Sequence, residues 1–377
     1  MKYIKIGFIS IFIVFIAAFF VMTIDNENPV SWLEKRELQV FPEFSVDKLA
    51  DEEYYNQLTT AFSDQLEYRD LLVKGYYLFQ FQRYNGDVVI GENNELYSAY
   101  QRVDEATYLS DLEGAAGYVN SVSAETNEAG AEFIFLSIPR KDAVETKNLP
   151  ESYISSEDLY VKSVDVLKST LADNVTLIDA YEVFSKDKKT RYYYTTDHHI
   201  TPRAAFKLYH EILGCTTVPD YDVENYYDIK KTIIKGSFND QIGQSVKSKP
   251  EELALEPHDM VEYERYEDDE PSKQKVFQTG NTYENCYMEG DQAYTVIDTG
   301  RDHLPNIMYV GSSFTNIMEA ITVRDFNLMV SIDYRDNDTG TTIADYVRKH
   351  DIDYVIYVPS QSNDALGYWK MLEHLGL

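Results

Sequence analysis

The architecture of this chain is indicated most clearly by the stretch Asn306-Ile307-Met308-Tyr309-Val310-Gly311-Ser312-Ser313-Phe314. Its apolar run, bounded by Asn306 and Gly311, is typical of a buried parallel strand. Gly311 permits a tight turn, and residues 315–322 continue with a helical pattern. The stretch therefore predicts a strand, a turn and a helix, with Ser313 in the turn.

The same alternation of strand and helix is found on both sides of this unit. We expect strands at 132–138, 175–178, 326–332 and 353–358, and helices at 108–127, 157–172, 202–213, 341–350 and 365–375. Alternating strands and helices predict a three-layer α/β domain with a parallel sheet. Ligands of such sheets bind beyond the carboxyl ends of the strands, which is where Ser313 falls.

Residues 216–300 interrupt the alternation, and we interpret them as an insertion in the α/β domain. Within them, residues 251–270 are dense in acids and contain Arg265 as their only lysine or arginine. A run of this kind is typical of a solvated surface or a flexible excursion. The α/β domain is then expected to cover residues 106–377.

The N-terminal segment predicts a membrane anchor. Residues 6–24 are apolar and uncharged, and nineteen residues of helix span roughly 28 Å, about the thickness of a bilayer core. Lys2 and Lys5 precede the run, so the positive-inside rule predicts a single-pass protein of the cell membrane, with everything after residue 25 outside the cytoplasm. A cleaved secretory signal is the alternative, and either reading exports the remaining chain.

Residues 26–105 form the predicted middle region. It begins with a polar linker, continues with a helical pattern over residues 46–82 and ends in a hairpin near residues 88–97. We expect this region to be a spacer that packs on the main domain.

Composition restricts the partners of the chain. The 377 residues carry a formal net charge of −30, which repels phosphodiester backbones and argues against nucleic-acid binding. The 32 tyrosines are typical of packed sheets and of clefts that face carbohydrate. Cys215 and Cys286 are able to pair but are too few for a disulfide framework or a four-cysteine zinc site.

The second stretch that carries chemistry is Tyr194-Thr195-Thr196-Asp197-His198-His199-Ile200-Thr201-Pro202. Three uses fit Asp197-His198-His199: a carboxylate that orients a basic imidazole, a set of metal ligands, or a polar turn ahead of a helix. Ser313 has two uses, because a serine at a strand-to-helix turn is either an N-cap or a nucleophile. Together the two stretches suggest the logic of a Ser-His-Asp triad, with Ser313 as nucleophile, His199 as base and Asp197 as orienting acid.

The Asp-His-His stretch resembles the signature of the DHHW protein family, which is related to the SGNH-hydrolase-like domains of alginate O-acetylation proteins. Further matching segments are Phe62 to Asp70, Asn85 to Gly91, Ile138 to Lys141, Gly236 to Phe238, Gly311 to Phe314 and Ile332 to Arg335. The resemblance covers most of the chain after about Glu34 and implies a flavodoxin-like SGNH fold. Two positions depart from the pattern: Ile200 replaces the family tryptophan, and Ser312 stands where the related pattern has aspartate.

The resemblance also implies roles for neighbouring residues. Arg335, Tyr334 and Lys141 are candidates for contact with the substrate or oxyanion, although a surface salt bridge is the alternative use of Arg335 and the favoured one of Lys141. Gly311 and Ser312 are expected to support the turn, and His198 is expected to support the site through a hydrogen bond rather than as a metal ligand.

These predictions favour an O-acetyltransferase or acetylesterase that acts outside the cytoplasm on a cell-surface or secreted polysaccharide or cell-wall glycan. It would need no metal or organic cofactor, and a membrane protein would be a possible acyl donor. A degenerate glycan-binding or envelope-assembly protein is the alternative, favoured by Ser312 and Ile200. A DHH-type metal phosphoesterase is less favoured, because no His-x-Asp cluster precedes Asp197.

Overall fold

The computed structural model describes residues 36–48, 51–73, 75, 87–99, 103–151, 153–335 and 340–359, with scattered positions between 12 and 31. The chain divides into two compact units: residues 1–88 with 239–246, and residues 89–238 with 247–377. Most of the predicted anchor and the whole of the predicted helix at 365–375 lie outside the described residues. No helix in the described part of the chain is long and apolar enough to cross a membrane. The predicted division at residue 105 stays a prediction.

The first unit contains a short antiparallel pair, β1 (Val30–Ser31) and β2 (Arg36–Glu37), and the helix α1 (Glu52–Asp64). The carboxylate of Asp51 caps α1 by accepting the backbone N–H groups of residues 53 and 54. The helical pattern predicted over residues 46–82 therefore includes a real helix, and residues 69–73 and 75 are helical as well, while residues 76–82 lie outside the described part of the chain.

The second unit is organised around a large sheet. Its strands and the neighbouring hairpins are β3 (Val88–Ile90), β4 (Leu96–Ser98), β5 (Glu132–Ser137), β6 (Val175–Asp179), β7 (Tyr227–Ile233), β8 (Pro250–Pro257), β9 (Glu264–Glu267), β10 (Glu270–Ser272), β11 (Tyr294–Asp298), β12 (Ile307–Gly311), β13 (Leu328–Asp333) and β14 (Tyr354–Tyr357). Eight of them form one sheet in the order β10-β9-β11-β13-β12-β14-β5-β6. The five strands from β13 to β6 are parallel, whereas β9, β10 and β11 pair antiparallel at one edge. The predicted strands and a mostly parallel sheet are confirmed.

Helices cover both faces of the sheet. The described helices that follow α1 are α2 (Glu105–Ala129), α3 (Lys141–Val144), α4 (Glu157–Thr170), α5 (Ala180–Ser185), α6 (Pro202–Leu213), α7 (Ser237–Gln241), α8 (Tyr283–Cys286), α9 (Asn316–Thr322) and α10 (Ile343–His350). Single 3-10 turns occur at Val46–Lys48, Glu92–Asn94, Thr146–Asn148 and Val223–Tyr226. One apolar layer contains α2, α4 and α10, and the other contains α5, α6 and α9. Helix α2 ends at Gly130, whose φ of 112° is left-handed, as the predicted stop signal requires.

Residues 216–300 contribute five strands. Strands β9, β10 and β11 extend the main sheet, and β7 pairs with β8 in a separate hairpin. Residues 251–270 are a largely solvated surface, as predicted, because residues 256, 258–260, 262, 264 and 268–270 are exposed. The run is nevertheless built on strands β8 and β9, with Leu253, Ala254 and Leu255 buried and Arg265 buried in an ion pair with Glu267. Cys215 and Cys286 are both free thiols, so they do not pair.

Candidate active site

A tight loop ahead of α6 carries Asp197 and His199. An isolated antiparallel bridge between Tyr193 and Ile200 closes the base of this loop, and the N–H of Thr201 donates to the carbonyl of Tyr192 at 2.8 Å. The hydroxyl of Thr201 then caps α6, and Pro202 occupies its first turn. The helix start and the bridge together fix the ends of the loop that holds both side chains.

Asp197 and His199 form a buried, hydrogen-bonded pair. The Asp197 Oδ1 atom lies 2.7 Å from Nδ1 of His199 and accepts the backbone N–H of the same histidine at 2.8 Å. Its Oδ2 atom accepts the N–H of Ser237 at 2.7 Å. Burial raises the pKa of the Asp197 carboxyl, but the two imidazoles and the Ser237 N–H outweigh burial and hold that pKa well below its usual value. Asp197 is therefore ionised and accepts the Nδ1 proton of His199.

Ser313 completes a series of three side chains. It follows β12, the strand that is paired on both sides in the middle of the parallel sheet, and its Oγ atom lies 2.9 Å from Nε2 of His199. Because Nδ1 carries the proton donated to Asp197, Nε2 of neutral His199 accepts from the Ser313 hydroxyl. The carbonyl of Ser312 accepts from both the N–H and the hydroxyl of Thr315, which fixes the turn. This geometry allows the Ser313 proton to pass to His199 while Asp197 holds the imidazole tautomer.

His198 lies beside this series. Its Nδ1 is 2.6 Å from the Ser237 hydroxyl, and its ring centroid is 3.9 Å from that of His199. The possible ligand atoms of Asp197, His198 and His199 all lie within 4.8 Å of one another, a spacing that also suits a metal ion. A metal ion between Asp197 and His199 would replace the 2.7 Å hydrogen bond that joins them.

Lys141 supports the loop from beneath. It is 4% exposed, so the prediction of a salt bridge at the surface is wrong in its location: the ion pair is buried. Its Nζ atom donates to the carbonyls of Leu96 and Thr195 at 2.7 and 2.8 Å, with Glu95 at 3.1 Å as counter-ion. Burial lowers the pKa of this ammonium, against the attraction of Glu95. Since the ammonium is enclosed by these acceptors, the structure does not direct it towards Ser313.

Strand β8 and the segment that follows β7 hold the same loop from another direction. The Glu251 carboxylate accepts both the N–H and the hydroxyl of Thr195, at 2.8 and 2.9 Å. Gly236 approaches so closely that a Cβ atom there would lie 2.1 Å from the carbonyl oxygen of Thr196. A glycine is required at this position for the next residue, Ser237, to reach Asp197.

Tyr334 and Ile200 are both buried, and Tyr334 is not where a substrate contact was expected. Tyr334 is buried in the apolar layer that contains Ile343 and Tyr346, whereas Phe314, next to Ser313, belongs to the opposite layer. Tyr334 is therefore not brought to Ser313. Ile200 is fully buried, so a ring at this position would pack in the core rather than face a sugar.

Arg335 is engaged by carboxylates at the end of β13. Its Nε atom lies 2.9 Å from Asp333, its Nη2 lies 2.5 Å from Asp291, and these bonds raise the pKa of the guanidinium. Asp291 also accepts the side-chain amide of Asn316 at 2.8 Å, three residues beyond Ser313. Arg335 thus contacts the active-site helix through Asp291, while nearly half of its side chain remains exposed.

Two residues of the site were not predicted, and both come from residues 216–300. Ser237 belongs to a segment that matches the family, but nothing in the sequence indicated its bonds to Asp197 and His198. The Tyr283 ring is stacked on His199, with centroids 3.9 Å apart and planes 5° apart. Tyr283 gave no signal, because it is one tyrosine of 32 in a stretch without regular periodicity.

A mostly parallel sheet is present, with a serine after its central strand β12 hydrogen-bonded to a histidine and an aspartate on the loop ahead of α6. This arrangement is typical of an SGNH-hydrolase-like α/β domain. The family model of the SGNH hydrolase-like domain of the acetyltransferase AlgX matches residues 88–320, and the chain belongs to that family. The family resemblance inferred from the sequence is confirmed.

Solved structures share the fold. A DHHW family protein from Eubacterium siraeum DSM 15702 is 19% identical over 75% of this chain and 94% of that chain, with a TM-score of 0.55. Bacillus cereus PatB1, solved with a sulfonyl adduct, is 17% identical over 75% of this chain and 99% of that chain, with a TM-score of 0.60. At these identities the likeness establishes the fold alone. No curated protein matches the chain.

Proposed function

We propose that this chain is an O-acetyltransferase or acetylesterase that acts on a cell-surface or secreted polysaccharide, with Ser313 as nucleophile. The family model that matches the chain is that of an acetyltransferase domain, and this match supports acetyl transfer as the reaction class. The observation that carries the assignment of residues is the series of hydrogen bonds from Asp197 to His199, at 2.7 Å, and from His199 to Ser313, at 2.9 Å.

The first half of the reaction forms an ester on Ser313. His199 takes the hydroxyl proton at Nε2 as the Ser313 oxygen attacks the acyl carbonyl of the donor, and Asp197 stabilises the resulting imidazolium. The backbone N–H of Ser313 is the proposed donor to the oxyanion. The bond to the leaving group then breaks, and His199 returns the proton to the leaving oxygen.

The second half releases the acyl group. His199 removes a proton from a sugar hydroxyl or from water, and that oxygen attacks the acyl-Ser313 carbonyl. The ester bond to Ser313 breaks and the serine oxygen recovers its proton from His199. A sugar acceptor gives the transferase and water gives the esterase, so the identity of the acceptor alone separates the two activities.

The proposal includes the membrane anchor formed by residues 6–24 and an extracytoplasmic position for the rest of the chain. The apolar run and the lysines before it support both points. An acyl donor carried by a membrane protein fits that position. Protease treatment of intact cells tests it, because residues after 25 should be digested from outside.

The test of the chemistry uses the adjacent serines as a matched pair. Both Ser312 and Ser313 are 8% exposed, but only the Ser313 hydroxyl faces His199. Ser313→Ala should abolish hydrolysis of a chromogenic acetyl ester and covalent labelling by a sulfonyl fluoride. Ser312→Ala should retain both. Turnover or labelling that survives Ser313→Ala would refute the assignment.

A metal-dependent phosphoesterase is the second candidate, favoured by the grouping of Asp197, His198 and His199 within 4.8 Å. It predicts phosphodiester hydrolysis that chelators abolish and that survives Ser313→Ala. A chain that binds glycan but neither hydrolyses acetyl esters nor labels at Ser313 would instead be a binding or assembly protein.

A further inference from the structure

Tyr283 encloses the imidazole of His199. The tyrosine is fully buried, and its ring lies almost parallel to the imidazole, with the centroids 3.9 Å apart. The rings of His198 and Phe314 contact the imidazole as well, at centroid distances of 3.9 and 5.2 Å, but both are tilted against it. Tyr283 is therefore the stacked neighbour in this group of rings.

The hydroxyl of the same tyrosine reaches the helix after Ser313. It accepts the N–H of Ile317 at 3.2 Å, in the first turn of α9. N–H groups in the first turn of a helix have no partner within the helix, so this acceptor satisfies one of them. Tyr283 thus contacts His199 with its ring and the helix of Ser313 with its hydroxyl.

Burial gives the ring a fixed charge state. It raises the pKa of the Tyr283 phenol well above its usual value, so the side chain stays neutral wherever the enzyme works. A neutral aromatic face attracts a cation and therefore favours the imidazolium over the imidazole. Above the acid limb the imidazolium forms as Ser313 loses its proton, so in that pH range the attraction acts on the transition state more than on the ground state.

We infer that Tyr283 is a positioning residue for the reaction proposed above: its ring aligns His199 and stabilises the imidazolium, and its hydroxyl fixes the helix that follows Ser313. The inference rests on the proposed function. If Tyr283 only filled the core, replacing it would leave the protonation of His199 unchanged. This difference makes the inference testable.

The experiment separates the ring from the hydroxyl. Tyr283→Phe keeps the ring, and Tyr283→Leu removes it. Tyr209→Leu is the control, because Tyr209 is fully buried in the same apolar layer and hydrogen-bonds Asp325 instead of the site. The measurements are kcat/KM against pH with a chromogenic acetyl ester and, in the Ser313→Ala background, the NMR titration of the His199 ring protons.

For Tyr283→Leu we expect kcat/KM to fall by about 2- to 30-fold, the range that corresponds to a cation–π contact of ~0.5–2 kcal/mol. The midpoint of the acid limb should move to lower pH by about 0.4–1.5 units, because the imidazolium loses its stabilising face. Tyr283→Phe should keep the wild-type midpoint and lose rate modestly. Tyr209→Leu should change neither the midpoint nor the NMR titration.

An unshifted midpoint in Tyr283→Leu, or the same shift in Tyr209→Leu, would overturn the inference. If Tyr283→Leu does not fold, replacing Tyr283 with phenylalanines of increasing ring fluorination weakens the aromatic face while keeping its shape. The midpoint should then fall with fluorination, and a constant midpoint would overturn the inference. Failure of the proposed function shows separately, as turnover that survives Ser313→Ala, because the NMR titration requires no turnover.

Discussion

Gly236→Ala tests how closely the segment before Ser237 must approach the Asp197 loop. The new Cβ would lie 2.1 Å from the carbonyl oxygen and 2.6 Å from the hydroxyl of Thr196, whereas real Cβ contacts below 3.0 Å essentially do not occur. The nearest clash is with backbone, so the two segments must separate by about 1 Å. The N–H of Ser237 then leaves hydrogen-bonding range of Asp197, which it now approaches to 2.7 Å.

The expected loss of activity follows from that displacement. Asp197 would lose one of the donors that fix its carboxylate, and His199 would lose alignment with Ser313. A misplacement of about 1 Å costs an enzyme roughly 100-fold in rate. We therefore expect kcat on a chromogenic acetyl ester to fall about 100-fold, with a smaller change in KM because the altered contacts lie behind His199.

The control is another glycine-to-alanine change. A Cβ at Gly117, within α2, meets no atom within 4 Å, so Gly117→Ala should keep full activity and stabilise the helix by about 0.5–1 kcal/mol. A crystal structure of Gly236→Ala would show whether Ser237 has moved. Activity within about threefold of wild type would refute the argument that this close approach positions Asp197.

Two further predictions concern buried charges. Lys141→Met should lower the free energy of unfolding by about 2–4 kcal/mol, because the buried carbonyls of Leu96 and Thr195 lose their donor and Glu95 keeps only Arg191 as a cation. Urea titration should show that adding Glu95→Gln costs less than the sum of the single changes. Burial raises the pKa of Glu319 to about 7, from the 4.5 of an unfolded glutamate. The folded state therefore keeps this proton at pH values where the unfolded chain has released it. The resulting stabilisation is fully present below pH 4.5, and the free energy of unfolding falls by roughly 3 kcal/mol as the pH rises to 7. Glu319→Gln should remove that part of the pH dependence in thermal unfolding, and an unchanged pH profile would contradict it.

The central sheet was predictable because its strands are short apolar runs separated by helical patterns. Strand β12 and helix α6 lie close to their predicted positions, since local composition and capping residues mark their limits. The proximity of Ser313 to His199 followed from the rule that strand ends share one edge of the sheet. Their 2.9 Å separation required the fold itself.

The residues that were missed depend on contacts with no local signature. Lys141 was expected at the surface. The sequence does not show that four backbone carbonyl oxygens and the Glu95 carboxylate surround its ammonium. Tyr283 lies in a four-residue helix too short for periodicity to reveal. Tyr334 was misplaced because polar and aromatic residues after a strand end point to either face of the sheet.

The loop between Tyr192 and Thr201 has a consequence for when activity is acquired. Asp197 and His199 are two residues apart and meet through a local turn, whereas His199 and Ser313 are separated by 114 residues. His199 and Ser313 come together only when β12 pairs with β13 and β14, and this long-range pairing costs chain entropy. The recovery of ester turnover during refolding would thus report the completion of the sheet, and not the earlier formation of the histidine loop.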